Sequence, residues 1–275
     1  MATIVEMINP LTGLPEQVDK LDHTAQEIDD AVDLAPQLSS PNLLDNWYFG
    51  NPVNQRNVSG TIDAVGYFLD RWKLVSGSVT IGSNGITLNG TIAQILETAV
   101  GTDVTASALT TEGVVVASYD NNSKTISLTG TGQTFVAAKL ELGSQQTLAH
   151  QDADGNWALN EIPDYGEQLR RCQRYQLVIN REILVAGRTS ASAETTCFAF
   201  IPTPVTMRVA PAISKIAGNY IATVNHVNGA KSIVDFTGVS LAGNGIYVTG
   251  AITAGLGTNQ PITVAISGCI ADANL

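Results

Sequence analysis

Short runs rich in β-branched residues, each closed by Gly, Asn or Ser, cover most of this chain and leave it few ways to fold. Val79-Thr80-Ile81, Gly85-Ile86-Thr87-Leu88, Gly113-Val114-Val115-Val116-Ala117 and Lys124-Thr125-Ile126-Ser127-Leu128 show the pattern. Branching at Cβ costs rotamer freedom in a helix and fits a pleated sheet. Runs of this length, bounded by turn residues, predict short strands. The fold is therefore expected to be mainly β.

The β text falls into two blocks. In residues 41–145, Asp120-Asn121-Asn122-Ser123 reads as a turn, so 113–128 predicts a hairpin. Thr134 to Leu142 alternates and closes the block, while Thr91 to Ala99 fits either a strand or a short helix. Residues 146–176 change character: His150 to Asn156 is a polar loop, and Pro163-Asp164 starts a helix through Tyr175. Its apolar face carries Tyr165, Leu169 and Cys172. Residues 177–275 return to strands, at 176–185, 195–201, 205–209, 220–227, 232–236, 245–249 and 262–266. Residues 41–145 and 177–275 are each expected to form a β-sandwich, with 146–176 as loop and connector helix.

Residues 1–40 stand apart. Pro15 suits the first position of a helix, and Glu16 and Asp19 suit its first turn. Apolar residues follow at alternating steps of four and three, at Leu14, Val18, Leu21, Ala25, Ile28, Val32 and Ala35, up to Pro36. That spacing predicts a coiled-coil seam, with Val18, Leu21, Ala25, Ile28 and Val32 at its centre. About 21 helical residues span roughly 31 Å. A single amphipathic helix packed on its own β domain is the other reading. Val with Leu favours two strands and Ile28 favours three or more.

Charge and cysteine usage limit the partners. With 25 acidic and 14 basic residues the formal charge is −11. Nucleic acid and anionic membrane surfaces both call for a basic footprint, so neither is an expected partner. Only 14% of residues are charged, so the polar surface is built from neutral side chains, compatible with a neutral glycan. Cys172, Cys197 and Cys269 have no regular spacing and read as small buried residues. No signal peptide is visible and no window is apolar enough for membrane insertion.

No spacing points to catalysis. His23, His150 and His226 stand alone, without metal-ligand spacing. Asp152-x-Asp154-Gly155-Asn156 lacks the ligands of a calcium loop and reads as a turn. No carboxylate pair stands out as a glycosidase would need. No catalytic residue, metal site or cofactor is therefore expected. Sugar C–H faces stack on aromatic rings, and this makes Trp157, Tyr220 and Tyr247 the candidate carbohydrate-binding residues. Trp47 and Trp72 lie in apolar sequence and are expected in the core.

Five segments carry a resemblance. They are Asn42-Leu43-Leu44-Asp45-Asn46-Trp47-Tyr48-Phe49, Asp70-Arg71-Trp72, Lys139-Leu140-Glu141-Leu142-Gly143, Cys172-Gln173-Arg174-Tyr175 and Met207-Arg208-Val209-Ala210-Pro211. Together they resemble tail-fibre and receptor-binding proteins of bacteriophages and prophages. The resemblance implies that residues 41–145 form a jelly-roll domain similar to carbohydrate-binding modules. Residues 1–40 would be the stalk or attachment segment. It also implies a homotrimer on a virion tail, made in the bacterial cytoplasm and released by lysis. Its partners would be other tail or baseplate proteins and a host cell-surface glycan. Gln176 stands where the family often has a second tyrosine, so no aromatic contact is inferred there. The alternatives are a structural tail or baseplate component without glycan binding and, further off, a polysaccharide hydrolase.

Overall fold

The computed structural model describes residues 4–8, 15–19, 40–216, 221–225, 231–253 and 255–274. The chain is mainly β. Two strands, β1 (Ile4–Ile8) and β2 (Pro15–Asp19), pair antiparallel with Val18 opposite Val5. Residues 15–19 are therefore not the first turn of a helix, and Val18 leaves the predicted seam. The β-branched Ile4-Val5 run supplies a partner strand, and Pro15 is tolerated at a strand's first residue. Leu21, Ala25, Ile28 and Val32 lie outside the described residues, as does the rest of the predicted coiled coil.

The next strands are β3 (Gly60–Ile62), β4 (Gly66–Leu69), β5 (Trp72–Gly82), β6 (Gly85–Ile95), β7 (Val104–Thr110), β8 (Gly113–Val116), β9 (Ser118–Asp120) and β10 (Thr125–Leu142). They form one sheet in the order β3-β5-β6-β10-β7-β8, with β4 on β5 and β9 on β10. Residues 113–116 pair back onto β7, and the hairpin at the Asp120–Ser123 turn is β9–β10. The open Thr91–Ala99 segment continues β6 as far as Ile95. The 18-residue β10 serves both halves, pairing with β6 from Thr125 to Phe135 and with β7 from Phe135 to Leu142.

A row of glycines lets this sheet wrap. Gly77 faces Gly90, and Gly90 faces Gly130, across β5, β6 and β10. Gly77 and Gly90 have φ of +78° and +143°, and a Cβ on either would come within 2.0 and 2.1 Å of a neighbouring carbonyl oxygen. Bulges between Leu74 and Ser76 and between Thr131 and Gln133 flank the row, and bulges bend strands. Leu74 and Val79, on either side of Gly77, are both fully buried in one core with Trp47, Phe49, Trp72, Ile92 and Phe135.

A short hairpin follows, β11 (Ala149–Gln151) with β12 (Trp157–Leu159). Helix α1 (Tyr165–Gln173) comes next, and its N-cap Asp164 accepts the Glu167 N–H at 2.7 Å. The helix buries Gln168 and Cys172 and leaves Tyr165 exposed. Its inward stripe is thus half polar, unlike the expected apolar face.

The remaining strands are β13 (Gln176–Ile179), β14 (Ile183–Thr189), β15 (Thr196–Pro202), β16 (Ala212–Lys215), β17 (Ile221–Asn225), β18 (Lys231–Leu241), β19 (Gly245–Ile252), β20 (Pro261–Ser267) and β21 (Cys269–Asp272). Six of them close a barrel, β14-β15-β19-β18-β17-β20, and β13-β21-β16 form a separate sheet. This closed barrel replaces the expected C-terminal sandwich. Two bulges in β18, at Ile233/Asp235 and Phe236/Gly238, provide curvature that closure needs. Residues 205–209 are not a strand; Met207 is buried instead. A second core, including Val185, Ile201, Val224, Ile246, Val264 and Ile266, fills this part. All three cysteines are buried free thiols, and burial pushes each thiol pKa up.

Four of the five segments meet where the large sheet, the helix and the β13-β21-β16 sheet join. Asn46 has φ +52° and is buried, and all its polar groups are used. Its N–H donates to Gln168 Oε1 at 2.7 Å, and its carbonyl accepts from Trp72 Nε1 at 2.9 Å. Its amide group donates to the carbonyls of Val53 and Asp70 and accepts the Val53 N–H. Next to it, the Asp45 carboxylate takes Arg71 Nε at 3.1 Å and Arg171 Nε at 2.9 Å. The Arg71 guanidinium lies 3.5 Å from the centre of the Tyr175 ring. Burial pushes the Tyr175 hydroxyl up to about 12. Asp70 accepts from Gln55 and Gln176, and Arg208 N–H donates to the Arg174 carbonyl at 2.8 Å. Arg56 reaches Asp272 at 3.1 Å.

Three substitutions test these features by denaturant unfolding. Gly90→Ala is expected to cost about 3 kcal/mol or more, because steric overlap adds to backbone strain. Gly132→Ala, at φ +105° with open space around it, is expected to cost about 1 kcal/mol. Arg71→Met removes the buried one of Asp45's two arginine partners while Arg171 remains, and is expected to cost about 2–3 kcal/mol.

Candidate functional site

The β11–β12 hairpin carries the candidate residue Trp157 and sets it in a groove. Asp152 shapes the turn: its Oδ1 accepts the N–H groups of Asp154 and Asn156 at 3.0 and 2.8 Å. The same two bonds lower the Asp152 carboxyl pKa, Asn156 contributing most. Trp157 then packs against Gly113 at the β7–β8 turn, where a Cβ would come 2.8 Å from the indole Nε1. Thr110 Oγ1 donates to the Gly113 carbonyl and accepts the Glu112 N–H, fixing that turn.

Between hairpin and turn runs a groove of about 780 Å³, whose walls include Thr111, Glu112, Gln151, Asn156, Trp157 and Ile162. Trp157 is 37% exposed and Ile162 71%. The groove therefore offers an indole surface, an aliphatic surface, two amides and a carboxylate. That set can stack on a sugar ring and bond its hydroxyls.

A buried polar cluster anchors the hairpin to the sheet. Lys139 and Glu141 on β10 are fully buried. Lys139 Nζ donates to Thr147 Oγ1 at 2.9 Å and lies 3.5 Å from Glu141 and 3.9 Å from Glu161. Thr147 gives its N–H and its hydroxyl to the Glu141 carboxylate. Asn160 donates to the Thr147 carbonyl at 3.0 Å and pairs with His150 Nδ1. Burial pulls the Lys139 pKa down, opposed by the two glutamates. The Lys139–Gly143 segment thus positions the Trp157 hairpin, a role that its sequence does not announce.

The other candidates lie elsewhere. Tyr247, on β19 of the barrel, is half-exposed and packs against Phe200 with ring centres 5.5 Å apart. It does not line the Trp157 groove. Tyr220 lies outside the described residues. Trp47 and Trp72 are buried in the sheet core. Among the described residues, no group of three or more His, Cys, Asp or Glu side chains could hold a metal ion, and no helix is long and apolar enough to cross a membrane. Sequence reading missed Glu112, Gln151 and Asn156 as groove partners: Asn156 and Gln151 are neighbours of Trp157 within one hairpin, whereas Glu112 is brought to the groove from the distant β7–β8 turn. No protein-family model, curated protein or solved structure matches the chain.

Removing the anchor should loosen the hairpin selectively. Thr147→Val deletes the hydroxyl between Lys139 and Glu141 and is expected to cost about 2–3 kcal/mol. Hydrogen exchange should rise across 149–159 and stay unchanged in the barrel.

Proposed function

We propose that the chain is a tail-fibre or receptor-binding protein of a bacteriophage or prophage that binds host surface glycan without catalysis. The Trp157 groove carries this reading: an exposed indole is bordered by Glu112, Gln151 and Asn156. The formal charge of −11 favours neutral glycans over acidic polymers. The wrapped sheet around one core suits a jelly roll in residues 41–145, and α1 suits a connector between the two β bodies. Residues 20–39 would supply the coiled-coil seam, through Leu21, Ala25, Ile28 and Val32. Three copies would multiply weak sites into useful avidity. The protein would sit on the virion tail, against other tail or baseplate proteins.

The alternative is a structural tail or baseplate component. The buried joint at Asn46 and Arg71 favours it, because a rigid coupling of two β bodies is what an assembly part needs.

Glycan-array binding separates the two. The leading reading expects bacterial surface glycans to bind, and Trp157→Ala to lower that binding about tenfold, near the 1–3 kcal/mol worth of an aromatic stack. A blank array contradicts it. Light scattering should give three times the single-chain mass of 28.9 kDa; the single-chain mass contradicts the trimer.

A further inference from the structure

We infer that a second cleft, at the base of the β7–β8 hairpin, is a separate binding site for an uncharged sugar bearing a methyl or acetamido group. It lies beyond the Trp157 groove and does not depend on the tail-protein reading. The cleft measures about 710 Å³, within the range of small-molecule sites. Val104, Ala106 and Val114 form an apolar wall beside the Tyr119 ring. Such a wall fits a methyl group and the C–H face of a sugar ring.

The walls are held before any ligand arrives. The Val100 N–H donates to the Tyr119 hydroxyl at 3.2 Å, and that hydroxyl lies 3.3 Å from Asn121 Oδ1. Asn121 Oδ1 also accepts the Gly101 N–H at 2.9 Å. The loop at 100–101 and the turn at 120–122 are thus tied together around the ring. Preorganised walls lose little freedom on binding. On the rim, Asn122 uses only its backbone N–H, toward Asp120, which leaves its side-chain amide open. Thr102 adds a hydroxyl on the same rim.

Charge selects the ligand. No Lys or Arg lines the cleft, and its one charged side chain is Asp120. The Asn122 N–H, followed by the Ser123 hydroxyl, holds that carboxyl below its ordinary range, so it is ionised at neutral pH. An anionic sugar would meet repulsion and no counter-charge. A neutral sugar meets an open amide, a hydroxyl, a carboxylate and an apolar wall.

Saturation-transfer NMR on the full chain tests this, with N-acetylglucosamine, rhamnose and glucuronate each at about 10 mM, ten times a 1 mM Kd. The expected result is saturable transfer to the acetamido and 6-methyl protons, and none to glucuronate. Val115→Glu puts a carboxylate in the cleft wall and should weaken binding at least tenfold. Asn122→Ala should weaken it about 2- to 10-fold, the loss of one hydrogen bond. These losses are read in a Trp157→Ala background, which removes the stack in the other groove and in which saturable transfer from the β7–β8 cleft should persist. Absence of transfer to both neutral sugars overturns the inference. So does binding that Trp157→Ala abolishes and Asn122→Ala leaves intact, or glucuronate binding as well as the neutral sugars. Should Val115→Glu fail to fold, the exposed Asn122→Ala carries the test.

Discussion

Asn46, held in a left-handed conformation with every polar group satisfied, is the point on which the rest of the structure depends. A non-glycine residue there is unfavourable unless its surroundings fix it. Its partners come from the loop before the sheet (Val53), the β4–β5 turn (Asp70), β5 (Trp72) and the helix (Gln168). Arg71, also at positive φ, adds a second link by joining Asp45 to the Tyr175 ring. Buried polar networks resist opening through the bonds they make, although Arg71 Nη1 and Gln176 Oε1 have no hydrogen-bond partner among the described residues. Here the networks fix the helix on the large sheet, and through Tyr175, Gln176 and Arg208 they fix it beside the β13-β21-β16 sheet.

The scaffold and the proposed recognition surfaces are thereby divided between different residues. Asn42–Phe49, Asp70–Trp72, Cys172–Tyr175 and Met207–Arg208 work at the joint. Lys139 and Glu141 work beneath the Trp157 hairpin, where a buried Lys–Thr–Glu cluster holds a surface loop without being reached by solvent. The two clefts sit at the turn and at the base of one hairpin, β7–β8, outside these networks.

Much of the fold is legible in the sequence where the cause is local. The Asp120–Ser123 turn, the Asp164 cap and the burial of Trp47 and Trp72 follow from neighbouring residues. The failures are long-range. Residues 113–116 read as half of a hairpin with 124–128, yet Thr110 and Gly113 set a tighter turn that returns them to β7. Val18 fits a heptad, yet Ile4–Ile8 offers it a strand partner. The barrel replaces a sandwich because closure depends on the bulges of β18, which no alternation pattern reveals. The Trp157 groove is half legible: the indole and its hairpin partner Gln151 lie in one local polar segment, but Glu112 reaches it only through tertiary packing.

Native-state hydrogen exchange tests the central role of the joint most directly. The amides of Asn46, Gln55, Arg208 and Ala273 donate to Gln168, Asp70, Arg174 and Tyr175. If the joint constrains the fold, these four should exchange only through global unfolding, with the same free energy as core amides of β6 and β10. Exchange of these amides through local opening, while β6 and β10 stay protected, would contradict the account.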